Sequence, residues 1–134
     1  MPWIDDYRAK LCSADQAVLD LRPGDCVFMG GNAATPRVLA EALARRAPAV
    51  PGLRVGHVLL LGEDPFAKVY GPNGIEHLSW FVGPADREAV RLGHAGYVPS
   101  HLSEIPALLR AGRPALDAAL LMVSPPDRHG FFSL

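Results

Sequence analysis

Apolar residues fall along this chain in two textures. Short solid runs, CVFM at 26–29, VGHVLLL at 55–61, HLSWFV at 77–82 and AALLMV at 118–123, alternate with stretches where apolar positions recur every three or four residues. Short solid runs bounded by Gly and Pro read as buried strands, and the periodic stretches as helices with one apolar face.

Residues 5–11 read as a short helix. Ser13 is an N-cap with Gln16 three positions on, a capping box that opens a helix over 14–21, stopped by Pro23-Gly24. A strand over 25–29 runs into the turn Gly30-Gly31-Asn32. Thr35 as N-cap and Pro36 as first helical position begin a helix to Ala47, with Val38, Leu39, Ala42 and Leu43 on one face. Strands over 53–61 and 77–82 flank a loop-rich stretch at 62–74, in which 66–70 reads as a brief strand. A helix opens at Gly83-Pro84 and ends at Gly93. Tyr97-Val98 is extended before Pro99, and Ser100 or Ser103 caps a helix through Leu109. The last full strand, 117–123, is closed by Pro125 and Pro126, which cannot donate to a sheet ladder. A polar turn, Asp127 to Gly130, leads to Phe131, Phe132 and Leu134, which read as the opening of another strand. The order of strands and helices predicts an α/β domain, an open and mainly parallel sheet with flanking helices. Residues 1–134 read as one domain and, because the chain closes on a strand just begun, as the front part of a longer protein.

Composition narrows the function classes. Hydrophobic residues make up 49% and charged residues 20%, ordinary for a globular domain, and the 13 Gly and 13 Pro punctuate the segments without forming a repeat. Net charge is −1 and no basic cluster exceeds Arg45-Arg46, which argues against nucleic acid and anionic membranes as partners. No run approaches the ~20 apolar residues of a membrane span, and the acidic start lacks the apolar core of a signal peptide. Cys12 and Cys26 have no metal-site spacing and fit a reducing, cytoplasmic setting.

The strongest chemical candidate is the loop Gly30, Gly31, Asn32, Ala33, Ala34, Thr35, Pro36. It joins the carboxyl end of a strand to the amino end of a helix, where ligands bind in open α/β sheets. Backbone amides and the helix dipole there favour a carboxylate, a phosphate or a thioester oxyanion. No GK[ST] follows, and the glycine spacing is not that of a dinucleotide fingerprint. A tight turn that simply requires glycine accounts for the same residues. Among the histidines, His57, His77, His94, His101 and His129, none pairs at HxxxH spacing, so no metal site is expected. His57 lies inside a strand and reads as a core residue. Glu104 near a helix start is accounted for by capping. Trp80 and Phe81 read as core aromatics beside a surface Arg87. Ser124 lacks a nucleophile elbow.

Several of these segments, in this order, resemble the amino-terminal domain of the acetyl-CoA hydrolase/transferase family, which includes 4-hydroxybutyrate CoA-transferase. They are Tyr7-Arg8-Ala9-Lys10 with Ser13 and Ala17-Val18, then Pro23-Gly24-Asp25, Gly30-Gly31 with Pro36 and Leu39, and Ala42-Leu43. Phe81-Val82-Gly83 with Arg87, Gly93 with Tyr97-Val98-Pro99, and Leu102-Ser103-Glu104-Ile105-Pro106 follow. The closing Val123-Ser124-Pro125-Pro126-Asp127 with His129-Gly130 is, with the FVGxxxR segment, the most specific. Leu78 departs from the polar residue common there among relatives.

The resemblance implies one CoA-transferase-like half of a two-domain enzyme, with the active site in the cleft between similar α/β halves. It implies that a glutamate of the carboxy-terminal half attacks an acyl-CoA thioester, passing through an anhydride to a glutamyl-CoA thioester. Coenzyme A would be a substrate, with no covalently bound cofactor, and the acceptor a short carboxylate such as acetate or 4-hydroxybutyrate. In hydrolase members the acceptor is water. No catalytic residue is then expected in this chain, and Gly30, Gly31, Asn32, Ala33, Thr35 and Pro36 would form one wall of the acyl pocket. The expected partners are acyl-CoA, a small carboxylate, the chain's own carboxy-terminal domain or a second subunit, and further copies in a homo-oligomer. A non-catalytic small-molecule binding module is the alternative from another class; a sugar-phosphate isomerase-like enzyme would need a base and phosphate donors that the residues do not offer.

Overall fold

The computed structural model describes residues 2–71 and 74–134, so part of the 62–74 loop lies outside the described residues. Five strands, β1 (Cys26–Met29), β2 (Leu53–His57), β3 (Ile75–Ser79), β4 (Ala95–Tyr97) and β5 (Ala118–Leu120), form one sheet in the order β4-β3-β2-β1-β5. Every pairing is parallel. The helices are α1 (Pro2–Lys10), α2 (Ala14–Ala17), α3 (Arg37–Arg46), α4 (Arg87–Arg91) and α5 (Ile105–Arg110). The expected α/β class and strand–helix order are observed.

Strands β1 to β4 are laid down successively in one direction, and β5 then returns to the far side of β1. The sheet therefore reverses between β1 and β5, and such a reversal opens a crevice at the carboxyl ends of the two strands. The return is fastened at both ends. The Asp117 carboxylate accepts from the Cys26 amide at 2.8 Å, and the Leu120 carbonyl accepts from the Gly30 amide at 2.9 Å.

Alternation along the strands sends Val27, Met29, Leu53, Val55 and Ile75 into the main core, where they meet Val18, Leu21, Leu43 and Val50. In α3 the buried residues are Ala40, Ala42 and Leu43, and Ala47, just past its end, is buried with them. Val38, expected on the same face as Ala42, is 69% exposed in the first turn of the helix. The Ser13–Gln16 capping box forms, with the Gln16 amide donating to Ser13 Oγ at 3.2 Å. Its helix is one turn long rather than reaching 21, and Val18 and Leu21 drop into the core beyond it.

Several boundaries move for identifiable reasons. β2 stops at His57, and residues 58–61 leave the sheet to cross over its carboxyl end. Residues 66–70 form no strand; 65–68 are a turn, where the Asp64 carboxylate accepts the Phe66 amide at 2.8 Å and bends the chain. β3 lies at Ile75–Ser79, two residues earlier than the apolar run suggests. β5 ends at Leu120 because its partner β1 ends at Met29, leaving Leu121, Met122 and Val123 about half exposed. Phe131, Phe132 and Leu134 form no strand; the segment folds back, with the Ser124 amide donating to the Ser133 carbonyl at 2.8 Å.

Candidate functional site

Three connections meet at the carboxyl ends of β1, β2 and β3. Residues 30–36 follow β1, residues 58–61 follow β2, and residues 80–86 follow β3. Their point of contact is Leu59. The Asn32 amide donates to the Leu59 carbonyl at 2.9 Å. A Cβ on Gly31 would lie 2.5 Å from that same oxygen, and a Cβ on Gly83 would lie 2.4 Å from Leu59 Cδ1. Glycine at both positions is therefore a packing requirement. Gly31 has φ −120°, which any residue adopts, so space and not backbone conformation demands it.

Within the loop, Asn32 to Ala34 form a short 3₁₀ turn, with Asn32 at φ 55°. The amides of Gly30, Asn32, Ala34 and Thr35 are committed to Leu120, Leu59, Gly31 and Asn32 carbonyls. The expected anion-friendly amides thus narrow to those of Gly31 and Ala33. Helix α3 begins one residue later than expected. Pro36 is its N-cap, and the Thr35 hydroxyl donates back to the Asn32 carbonyl at 2.8 Å instead of capping the helix. Thr35 and Pro36 are buried as the stem of the loop, while Asn32 and Ala33 are exposed at its tip.

Two clefts border these connections. One, of about 320 Å³, is largely apolar and lined by Asn32, Val58, Leu59, Trp80, Phe81, Ser100, Leu102 and Ile105. Trp80 Nε1 and Ser100 Oγ are buried there without partners, and Phe81, expected in the core, is 61% exposed at the mouth. Trp80 is held by its ring edge, which lies against Gly56. The other cleft, about 630 Å³, lies between α3 and residues 60–68 and carries Arg37, Glu41, Glu63 and Lys68.

Beneath the connections lies a cluster of ionisable side chains. His57 and His77, on adjacent strands, are fully buried, with His57 Nε2 3.3 Å from His77 Nδ1. Asp86 Oδ2 is 3.9 Å from His57 Nε2, while Asp86 Oδ1 accepts the Gly83 amide at 2.8 Å. On the far side, Asp64 Oδ1 lies 3.8 Å from His77 Nε2, and Asp64 also accepts from the Tyr70 hydroxyl. Burial pushes His57 down to about 4 against the opposing pull of Asp86. Burial, with His57 beside it, pushes His77 down to about 3. Burial raises the Asp64 carboxyl to about 6, the Phe66 amide opposing the shift and the Asp86 charge adding to it. Both imidazoles are therefore neutral at physiological pH, and Asp64 retains its charge only against the cost of burial.

The remaining candidates are placed apart from this centre. The Glu104 carboxylate accepts the His101 amide at 2.9 Å, the capping role expected of it. His94 stacks on Tyr70 with ring centroids 5.3 Å apart. His129 is exposed and accepts from Arg128 Nε at 2.9 Å, and Arg87 is exposed on α4. Ser124 Oγ donates to the Pro125 carbonyl at 3.0 Å, with no base engaged. Asp64 and Asp86 were not singled out by motif spacing, which tests positions along one element and misses residues of separate connections that the fold brings together. The one sequence signal was a histidine in each of two consecutive buried strands.

The chain matches the family model for the acetyl-CoA hydrolase/transferase N-terminal domain over residues 3–134. It is 32% identical over 133 residues to the 4-hydroxybutyrate coenzyme A transferase of Clostridium kluyveri, covering 99% of this chain and 31% of that protein. It is 35% identical over 128 residues to the succinyl-CoA:cyclohexane-1-carboxylate CoA transferase of Geobacter metallireducens, covering 96% of this chain and 29% of that protein. Among solved structures, RipA from Yersinia pestis superposes with a TM-score of 0.82 at 31% identity, over 98% of this chain and 33% of that one. The 4-hydroxybutyrate CoA-transferase of Porphyromonas gingivalis superposes with a TM-score of 0.68 at 30% identity, over 97% of this chain and 29% of that one. The chain thus spans about a third of the length of the proteins it matches.

Proposed function

The chain belongs to the acetyl-CoA hydrolase/transferase family, as its amino-terminal domain, and from that membership we propose that it supplies one wall of the acyl site of a CoA-transferase. The whole protein would move coenzyme A between a short acyl-CoA and a small carboxylate, acetate and 4-hydroxybutyrate being the model acids. The observation that carries this is the convergence on Leu59. It sets the exposed tip of the 30–36 loop beside an apolar cleft of about 320 Å³, at the carboxyl ends of the strands.

In this proposal the aliphatic part of the acyl group enters the cleft against Val58, Leu59 and Phe81. The amides of Gly31 and Ala33 and the Asn32 side chain meet the thioester or carboxylate oxygen, where negative charge develops. Thr35 and Pro36 hold that tip, and Gly30 ties it to β5. The chemistry belongs to a carboxylate outside this chain. Its oxygen attacks the thioester carbonyl, the C–S bond breaks, and CoA leaves as thiolate. The thiolate then attacks the glutamyl carbonyl of the anhydride, releasing the first acid and leaving a glutamyl-CoA thioester. The second acid reverses these steps. The enzyme would act in the cytoplasm as a homo-oligomer.

The test is an exchange assay on the protein from its full reading frame, with acetyl-CoA and butyrate or 4-hydroxybutyrate. Formation of the new acyl-CoA with ping-pong kinetics supports transfer. Release of free CoA without exchange would instead make the protein an acetyl-CoA hydrolase of the same family. Neither reaction, on folded protein, would leave a non-catalytic small-molecule binding module.

A further inference from the structure

We propose that His57, His77 and Asp86 form a buried site for a single divalent transition-metal ion of the zinc class. Three lone-pair atoms face one another where neutral imidazoles can supply only one proton between them. His57 Nε2 stands 3.3 Å from His77 Nδ1 and 3.9 Å from Asp86 Oδ2. If the His57 proton serves His77, Asp86 Oδ2 is left bare, and if it serves Asp86, no proton is shared between the imidazoles. Among the described residues Asp86 Oδ2 indeed has no hydrogen-bond partner, although the residue is fully buried. A carboxylate oxygen in that position is costly without a cation or a donor.

The spacing suits an ion. Tetrahedral zinc with bonds near 2.1 Å needs its donors roughly 3.4 Å apart. One separation already meets that, the second is half an ångström longer, and all three ligand atoms lie within 4.8 Å of one another, so an ion would draw Asp86 Oδ2 inward. Two imidazoles and one carboxylate are a donor set that zinc accepts, with a fourth, non-protein donor completing the tetrahedron. The outer contacts also suit it. The Gly83 amide holds Asp86 Oδ1 at 2.8 Å and leaves Oδ2 to the cluster. Asp64 Oδ1 stands 3.8 Å from His77 Nε2, the atom turned away from the ion, which puts a carboxylate behind that histidine but beyond hydrogen-bond length. Because all three residues are fully buried, the ion would be structural, tying β2, β3 and the start of α4 together under the Leu59 contact.

The test is metal analysis of the full-length protein, purified without a histidine tag, stripped with chelator, reloaded with Zn²⁺ and dialysed. About one equivalent per chain is expected, falling at least tenfold in His77→Gln and unchanged in His101→Gln. Loading with Co²⁺ keeps the test decisive should His77→Gln not fold: visible absorption bands typical of tetrahedral Co²⁺, displaced by Zn²⁺, are expected of the unmutated protein. Less than a tenth of an equivalent on folded protein, or metal retained by folded His77→Gln, would overturn the site. So would Co²⁺ that shows only the weak bands of the hydrated ion. The readout is independent of any CoA transfer.

Discussion

The Leu59 carbonyl accepts the Asn32 amide at 2.9 Å, and this one bond joins the connection after β2 to the loop after β1. Since a Cβ on Gly31 would lie 2.5 Å from the same oxygen, the contact tolerates no side chain there. Gly31→Ala should break it, lowering stability by about 1–3 kcal/mol, the usual range for overpacking. Gly31→Val should abolish transfer by the full-length enzyme. Urea midpoints beside exchange rates measure both effects, and normal turnover by Gly31→Val would remove the loop from the site.

Gly83 presses on Leu59 differently. Its missing Cβ would meet the end of the Leu59 side chain at 2.4 Å, with the Leu60 carbonyl at a looser 3.3 Å. A side-chain end can move and a backbone oxygen cannot. Leu59→Ala should therefore rescue part of the damage done by Gly83→Ala and none of that done by Gly31→Ala. A pair of double-mutant cycles in urea reads this directly; equal rescue of both would disprove the distinction.

Phe81 stands 61% exposed at the mouth of the apolar cleft. Phe81→Ala should widen the cleft and favour longer acids, raising the ratio of kcat/KM for butyrate over acetate by about tenfold, near the worth of one methylene. An unchanged ratio would place the acyl chain elsewhere.

Stability of the metal-free protein should fall as the solution is acidified. An imidazole whose pKa drops on folding takes up its proton more readily when unfolded. His57 at about 4 and His77 at about 3 thus lose stability as pH falls below 6.5. Asp64, raised from 3.8 to about 6, binds its proton more readily when folded and gains stability over that interval. Two losses against one gain leave a net decline. Asp64→Asn should make the decline between pH 7 and pH 5 steeper, seen as a larger drop in the urea midpoint.

Glu104 should be dispensable for chemistry. Its carboxylate accepts the His101 amide at 2.9 Å, a capping contact at the start of the 3₁₀ turn that leads into α5. Glu104→Ala should keep transfer within about twofold and cost roughly 0.5–2 kcal/mol. A large fall in kcat without a fall in stability would give Glu104 a role in the reaction.

The sheet was legible because its strands are solid apolar runs cut by Gly and Pro, a pattern tied to local burial. What escaped was decided between elements. Residues 58–61 are as apolar as the strand before them, and only the contacts of Leu59 take them out of the sheet. Val38 lies one helical turn from the buried Ala42 and reads as core, yet it is exposed in the first turn of α3. At the candidate site, the 30–36 loop could be found from its glycines and its place between strand and helix. The pairing of His57 with His77 could not, since the register that sets Val55 opposite His77 and His57 opposite Ser79 belongs to the sheet as a whole. Asp86 is an unremarkable helix-start residue until Gly83 turns it inward.

The placement of β5 also orders events during synthesis. Cys26 hydrogen-bonds to Asp117, 91 positions later in the chain. While the ribosome makes the intervening residues, β1 can gain its partner on the β2 side but must leave its other edge bare. That edge is covered only when residues 118–120 emerge, so the crevice on which the 30–36 loop depends is among the last parts of the domain to take shape. A nascent chain stalled before β5 would carry the loop without its anchor at Leu120, and the site should mature late in translation rather than with the strands that flank it.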